Sequence, residues 1–347
     1  MASTSHHRRV AVVGAGGTLG RQIVRQLEGA PAGYRVLGLD TFGPEEPGGA
    51  LDGAEVVVHL DRWSCPTPDD DCAVGGMRLV EVAEATGVDH VVAVSSAVVY
   101  GAWPDNPVPL TEDAALRPNP GSDYALGKAE AERRWGEWAG DGAAGSRLLT
   151  VLRPTQVVGD DDEQWLAVAL RAATRWGVGD GEVPTQYVHV DDVASAVVLA
   201  VTQRLDGIYN VAPEGWLDGH EVQDLAGTPL RPPIPPAVVS ALARWCWSRG
   251  LGGVAPEWVP YATHPWVVAG DRLRGAGWEP SHTGAQTLLD SFPVTPWSRL
   301  DSRHRRELTL GAATLAALVP PAAVAALLRR HRRRRRRHSI LGTSTAS

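Results

Sequence analysis

The residues with the most distinctive spacing are Tyr124 and Lys128, four positions apart in "DYALGKAEAE". Lys128 is the only lysine in 347 residues, so the other 32 of the 33 Lys and Arg side chains are arginine. Residues four apart on a helix share a face, so both groups can act at one place. An ammonium favours the phenolate of a neighbouring tyrosine, whose unperturbed pKa is about 10. The pair predicts an acid/base group for proton transfer, and a surface pair on a helix is the alternative.

Gly14, Gly17 and Gly20 form a G-x-x-G-x-x-G turn between the apolar run "VAVV" and the helical pattern "RQIVRQL". Such a turn lets backbone N–H groups approach a pyrophosphate at a helix N-terminus. Asp40 ends the next predicted strand, where a carboxylate accepts hydrogen bonds from the ribose hydroxyls of NAD and repels the 2′-phosphate of NADP. These two signals together predict an NAD site, against the alternative of a plain turn.

Ser96 ends the predicted strand "HVVAVSS", at the carboxyl edge where ligands bind in parallel sheets. Its hydroxyl can hydrogen-bond a reacting oxygen. Ser96, Tyr124 and Lys128 would then move a proton while NAD takes a hydride.

Short apolar runs that alternate with helical patterns must position these residues. The pattern predicts an α/β fold, a doubly wound parallel (Rossmann) sheet with a smaller C-terminal substrate domain and an apolar, Arg-rich tail. We expect an NAD-binding domain over residues 8–182, a substrate-side region over 183–300 that is partly interleaved with the sheet, and the tail over 301–347.

The chain resembles the extended short-chain dehydrogenases/reductases, specifically the NAD-dependent epimerase/dehydratase group. The matching stretches run in family order over about residues 10–212, with weaker similarity to about residue 290. They are "VVGAGGTLG", "VLGLD", "VVVHL", "VSSAVVYG", "YALGK", "VLRPTQVVG", "YVHVDDVASA" and "GIYNVA".

The resemblance implies that Ser96, Tyr124 and Lys128 are the catalytic set and that NAD is the cofactor. The implied cofactor-binding residues are Gly14, Gly17, Thr18, Leu19, Gly20, Asp40, Leu60, Tyr124, Lys128, Pro154 and Val157. No metal is expected.

Several departures from the family bear on the substrate. Asp61 and Arg62 stand where the family usually has two alanines beside the cofactor. Gln156 replaces a common asparagine, and Gln186 stands near the place of an arginine that often grips the phosphate of a nucleotide sugar. The interval between Asp40 and the next strand has only 15 residues, so we expect an edge strand to be lost or reduced.

Other polar and aromatic groups have two interpretations each. His189 could be a base, although a structural role at a helix start is favoured. The acidic runs 69–71 and 160–162 resemble solvated loops more than metal ligands. The tryptophans of residues 245–278 could line a pocket, but a core role is favoured.

The charge is asymmetric along the chain. Residues 301–347 hold eleven arginines and two acidic residues, which leaves 22 basic and 38 acidic side chains in residues 1–300. This acidic body argues against nucleic acid as a partner. Three cysteines without metal-like spacing, and no secretory signal, predict a cytoplasmic protein.

The uncharged segment 308–328 is long enough to span a membrane, but Pro320 and Pro321 interrupt it. With arginine on both sides, residues 303–338 predict a contact with the cytoplasmic membrane face. The alternative is a helix packed on the body, with a disordered basic end on the acidic surface.

The function predicted from these features is Tyr-assisted oxidation of a secondary alcohol, on a sugar or nucleotide-sugar carbon, with redox-neutral epimerisation as one outcome. The alternative is an NAD-dependent dehydrogenase of an apolar, steroid- or lipid-like alcohol. A non-catalytic NAD-binding protein is the third option. The partner is a small-molecule substrate, and a homodimer is one option that the sequence leaves open.

Overall fold

The computed structural model describes residues 8–42, 48–60, 71–142, 146–159, 183–225, 236–249 and 255–290. The tail and the acidic run 160–162 lie outside this part of the chain, as do Asp61 and Arg62. None of the helices within the described ranges is long and apolar enough to cross a membrane. Within the same ranges, no group of three His, Cys, Asp or Glu side chains could hold a metal ion.

A six-stranded parallel sheet forms the centre of the molecule, with strand order β2-β1-β3-β4-β5-β8. A separate two-stranded parallel sheet pairs β6 with β7. The strands are β1 (Arg8–Val13), β2 (Tyr34–Leu39), β3 (Val56–His59), β4 (His90–Val94), β5 (Leu148–Pro154), β6 (Gln156–Val158), β7 (Tyr187–His189) and β8 (Gly207–Val211).

Helices cover both faces of the sheet, which confirms the predicted doubly wound architecture. They are α1 (Thr18–Glu28), α2 (Asp71–Thr86), α3 (Asp123–Asp141), α4 (Val190–Gln203), α5 (Gly219–Leu225), α6 (Pro236–Ser248), α7 (Val259–Thr263), α8 (Asp271–Gly275) and α9 (Gly284–Asp290). The described residues also form short 3-10 helices at Gly48–Leu51, Ala97–Tyr100 and Pro256–Trp258.

The central strands bury both faces because their side chains alternate between two apolar layers. Val10 and Val12 of β1 pack with α1 and α4 in one core. Ala11 and Val13 pack with α2 and α3 in the other, which includes Trp135. This double burial explains why the strands read as continuous apolar runs rather than as alternating patterns.

β2 is the edge strand on its side of the sheet. The short interval after Asp40 contains the 3-10 helix Gly48–Leu51, and no further strand pairs with β2 in the described part of the chain. This agrees with the predicted loss or reduction of an edge strand, as far as the described residues extend.

Residues from the predicted substrate-side region complete the main sheet and cover part of its carboxyl edge. β8 pairs with β5, and Trp258, Tyr261 and Trp266 pack against the 3-10 helix Ala97–Tyr100. The interleaving of this region with the sheet is thus visible, while the domain boundaries at residues 182 and 300 stay predictions.

Candidate active site

The glycine turn joins the end of β1 to the start of α1 and is tied to the end of β2. The N–H groups of Gly14 and Ala15 both donate to the Leu39 carbonyl, at 2.8 and 2.9 Å. Gly14 adopts a φ of +96°, a conformation that residues with a Cβ rarely adopt. No side chain caps α1 at Gly17 within the described chain, so the helix N-terminus follows the turn without a side-chain cap.

Gly20 lets helix α1 pack directly on this turn. A Cβ atom at Gly20 would lie 2.2 Å from the Gly14 carbonyl oxygen and 2.7 Å from the Ala15 Cα. Leu19, beside it, is buried in the core under the turn. The third glycine of the motif is therefore required for packing between helix and strand, whereas the first two shape the loop.

Asp40 is exposed and lies over the same turn. A Cβ atom built on Gly16 would be 2.8 Å from Asp40 Oδ1, so the carboxylate lies directly against the glycine backbone. A glycine-rich turn, a helix N-terminus without a side-chain cap and an adjacent carboxylate fit the pyrophosphate and ribose of a dinucleotide.

Lys128 is buried, with 2% of its surface exposed, and joins two strand ends. Its Nζ atom donates to the Val94 carbonyl at 2.9 Å and to the Leu60 carbonyl at 3.4 Å. Leu60 also contacts the glycine turn, since a Cβ on Gly14 would lie 3.0 Å from the Leu60 Cβ. Leu60 therefore connects the predicted dinucleotide cradle to the lysine.

Tyr124 lies one turn before Lys128 on α3, and the Lys128 Nζ atom is 5.9 Å from the centroid of its ring. Ser122 caps the helix by accepting from the Ala125 N–H, which fixes where α3 begins. The Tyr124 ring also lies 6.1 Å from the ring of Trp258. The structure thus brings the predicted tyrosine and lysine together at the carboxyl edge of the sheet.

Ser96 is buried two residues after the end of β4, and its Oγ atom accepts from the Val98 N–H at 3.4 Å. It begins the 3-10 helix Ala97–Tyr100, which shares an apolar cluster with Tyr124. Because Lys128 bonds to Val94, the lysine and the serine are anchored at the same strand end.

Pro154 ends β5, and Val157 lies in β6 among buried apolar residues. Between them, the Oγ1 atom of Thr155 and the Oε1 atom of Gln156 are buried without a hydrogen-bond partner among the described residues. The Oγ atom of Ser95 is also buried without a hydrogen-bond partner among the described residues. Unpaired buried polar atoms are costly, and these three lie near the carboxyl ends of β4 and β5.

Gln186 is fully engaged by the protein backbone. Its Nε2 atom donates to the carbonyls of Gly215 and Val268, at 2.8 and 3.0 Å, and its Oε1 atom accepts from the Val268 N–H at 2.8 Å. Gln186 therefore links two backbone segments, although it stands near the place where the family often has a phosphate-binding arginine.

His189 caps α4, because its Nδ1 atom accepts from the Asp191 N–H at 3.2 Å. Its ring stacks on His282 with 4.0 Å between centroids. This confirms the structural role that the sequence favoured.

Three of the five tryptophans in residues 245–278 are buried, which confirms the favoured core role for Trp258, Trp266 and Trp278. Trp245 and Trp247 on α6 are instead 50% and 56% exposed. The contact of Trp258 with Tyr124 was not predicted, because only the fold brings these distant positions together.

The sequence model of a protein family, described as the NAD dependent epimerase/dehydratase family, matches residues 10–212, which is more than half of the chain. A 3-diazoavenalumate denitrifying reductase from a Streptomyces species is 28% identical over 332 residues, covering 79% of this chain and 96% of that protein. A UDP-glucose 4-epimerase from Corynebacterium glutamicum is 25% identical over 292 residues, covering 76% and 82%.

Among solved structures, the Thermus thermophilus UDP-glucose 4-epimerase in complex with NAD shares the fold, with a TM-score of 0.57 and 22% identity. The match covers 82% of this chain and 97% of that one. The chain therefore belongs to the NAD-dependent epimerase/dehydratase family and is an enzyme of the extended short-chain dehydrogenase/reductase type.

Proposed function

We propose that this enzyme oxidises a secondary alcohol, on a sugar carbon of a nucleotide sugar, with Tyr124 as the proton acceptor. The observation that carries the proposal is the position of the Lys128 ammonium, 5.9 Å from the Tyr124 ring and bonded to the ends of β3 and β4. Bound NAD supplies the hydride acceptor for this reaction.

Lys128 has two tasks in this proposal. Its charge favours the phenolate form of Tyr124, which is the form that can accept a proton from the alcohol. It would also donate to a ribose hydroxyl, since an ammonium has three donors. The carbonyls of Val94 and Leu60 hold the ammonium in place without neutralising its charge.

Ser96 orients the reacting oxygen. Its hydroxyl follows the same strand end that holds Lys128, and the N–H of Val98 is already directed at its Oγ atom. The Ser96 hydroxyl can therefore donate to the substrate oxygen while Tyr124 removes the proton.

The cofactor cradle consists of the glycine turn, Asp40 and Leu60. The N–H groups of the turn and of the α1 N-terminus would hold the pyrophosphate, and Asp40 the ribose hydroxyls. Pro154 and Val157 would line the nicotinamide side.

A sugar substrate is supported by the polar atoms at the same edge. The unpaired buried oxygens of Ser95, Thr155 and Gln156 can hydrogen-bond a polyhydroxylated ring. The Corynebacterium relative is a UDP-glucose 4-epimerase by name. Rotation of an oxidised sugar before hydride return would give redox-neutral epimerisation.

The test is to incubate the NAD-loaded enzyme with a panel of nucleotide sugars, beginning with UDP-glucose, and to separate the products by chromatography. The proposal expects an epimer to form without net NADH accumulation. If every sugar is returned unchanged by wild-type enzyme that has bound NAD, the proposed substrate class is wrong.

A second candidate is NAD-dependent oxidation of an apolar alcohol. It is favoured by Gln186, whose side chain binds the backbone and so does not offer a contact to the phosphate of a nucleotide sugar. It is also favoured by α6, where Val238, Leu242 and Trp245 are about half-exposed and follow the spacing of one helix face. α6 contacts the 3-10 helix that carries Trp258, beside Tyr124.

The two candidates differ in what accumulates. An apolar substrate, such as a hydroxysteroid or a long-chain secondary alcohol, would give steady NADH formation at 340 nm. Substituting Leu242→Ser and Trp245→Ser would then raise KM for that alcohol, whereas the conversion of a nucleotide sugar would be unaffected.

A further inference from the structure

A buried ion pair joins the proposed catalytic helix α3 to strand β5. Arg153 of β5 is 2% exposed, and its guanidinium donates to both carboxylate oxygens of Glu132 on α3, with Nε at 3.1 and 3.2 Å. The Nη1 atom of the same guanidinium donates to the Tyr100 hydroxyl at 2.7 Å, and its Cζ atom lies 4.8 Å from the Tyr100 ring centroid.

The hydrogen-bond chain continues from Tyr100 across the sheet. The Tyr100 hydroxyl donates to Asn210 Oδ1 at 2.9 Å, and the Asn210 N–H donates to Glu112 Oε1 at 3.0 Å. Burial raises the pKa of the Tyr100 phenol, so it stays a neutral donor in this chain. Tyr100 is thereby fixed in orientation at both sides of its hydroxyl.

The ion pair and the tyrosine bonded to it lie on the three segments that carry the proposed site. Glu132 is one helical turn after Lys128 and two turns after Tyr124, so all three lie on one face of α3. Tyr100 ends the 3-10 helix that Ser96 caps. Arg153 immediately precedes Pro154.

Stability alone is a poor reason for this arrangement. Burying two charges costs desolvation, and well-packed apolar residues of similar volume are often as stable or more stable. A guanidinium can nevertheless satisfy a carboxylate with two parallel bonds and stack on a phenol at once, which an ammonium cannot do. The arrangement is therefore suited to fixing geometry between segments.

We propose that Arg153 and Glu132 are positioning residues that set the orientation of α3 against the Ser96 turn, and with it the place of the Lys128 ammonium. This inference rests on the proposed function, because it assigns importance to the geometry of Ser96, Tyr124 and Lys128. Neither Arg153 nor Glu132 is assigned a contact with substrate or cofactor.

The single lysine makes the test direct. Protein labelled with ¹³C at the lysine Cε gives one lysine resonance, that of Lys128, without any assignment step. The variants are Glu132→Gln and, as a milder change that removes one oxygen, Tyr100→Phe. Glu130→Gln is the matched control, because Glu130 forms its ion pairs with Arg133 and Arg134 on the surface of the same helix.

In both Glu132→Gln and Tyr100→Phe we expect a shifted Lys128 resonance. We also expect the NAD dissociation constant to rise about fivefold or more, which is the size of effect typical of energetic coupling between two sites. The Glu130→Gln control leaves both unchanged. If Glu132→Gln fails to fold, Tyr100→Phe carries the test.

A purely structural ion pair gives the opposite pattern and overturns the inference: a lower melting temperature, with the Lys128 resonance and the NAD affinity of the folded protein unchanged. Failure of the proposed function is distinguishable, because it is read from the products of the nucleotide-sugar panel, whereas this test reads only the Lys128 resonance and the NAD affinity. If the proposed function fails, Glu132→Gln and Tyr100→Phe are still compared with wild type by the Lys128 resonance.

Discussion

The ammonium nitrogen of Lys128 lies 5.9 Å from the centre of the Tyr124 ring and 2.9 Å from the Val94 carbonyl oxygen. The cation is therefore held by the end of a central strand, two residues before Ser96. From this place its charge acts on the phenol and on the neighbouring serine turn.

Replacing this lysine with arginine keeps the charge but changes its shape. For Lys128→Arg we expect kcat/KM to fall by about 100-fold or more, because a planar guanidinium does not fit the buried place of a compact ammonium. Steady-state kinetics and NAD titration measure the effect. Arg133→Lys, on the exposed face of the same helix, is the control, and activity of Lys128→Arg within about threefold of wild type would contradict the assignment.

The glycine turn tolerates no side chain at its third glycine. In Gly20→Ala, the added Cβ would meet the Gly14 carbonyl at 2.2 Å, so we expect loss of NAD binding together with a lower melting temperature. Gly136→Ala on α3 is the control, since nothing lies within 4 Å of a Cβ there. That change is expected to stabilise the helix by about 0.5–1 kcal/mol. Equal NAD affinity in both variants would show that the turn does not form the cradle.

Asp40 controls the choice between NAD and NADP in this account. Asp40→Ala removes the carboxylate that repels a 2′-phosphate, so the ratio of NADP to NAD affinity is expected to rise about tenfold or more. Isothermal titration with both dinucleotides measures the ratio. Asp52→Ala, at the end of the Gly48–Leu51 segment, serves as a control for removing a nearby acidic charge. An unchanged ratio in Asp40→Ala would remove Asp40 from the site.

His90 predicts a pH dependence of stability that is independent of catalysis. Burial, with a smaller effect from Arg204, lowers the pKa of His90 from 6.5 to about 4. Its Nε2 atom lies 3.0 Å from the hydroxyl of Thr150, and its Nδ1 atom has no hydrogen-bond partner in the described structure. The folded state therefore resists protonation at this ring.

The unfolded chain binds the His90 proton below about pH 6.5, whereas the folded chain binds it only below about pH 4. The free energy of unfolding therefore decreases as the pH is lowered from about 6.5 to about 4. Urea unfolding from about pH 7 to about pH 5 should show a loss roughly 2 kcal/mol larger in wild type than in His90→Gln. Parallel losses in the two proteins would refute this role of His90.

The parts of the site that are local in sequence were predictable. The glycine turn, Asp40 and the Tyr124–Lys128 spacing each belong to one strand-turn-helix unit, and their placement at the sheet edge follows from parallel topology. The end of the described sheet at β2 also agrees with the sequence, since the 15 residues after Asp40 are too few for a helix and another strand.

The contacts between distant segments were not predictable. Gln186 clamps Gly215 and Val268, and Arg153 joins Glu132 to Tyr100, through side chains whose partners lie far away in sequence. Periodicity and local motifs carry no information on such pairs. The membrane contact predicted for residues 303–338 concerns residues outside the described structure and stays a prediction.

In the proposed reaction, Tyr124 accepts the proton as the alcohol is oxidised. The most direct test of this step is a single-turnover measurement at 340 nm, with NAD-loaded wild type and Tyr124→Phe mixed with the substrate that the panel identifies. We predict hydride transfer about 100- to 10,000-fold slower in Tyr124→Phe, with NAD affinity unchanged. Equal rates of hydride transfer in the two proteins would contradict the account.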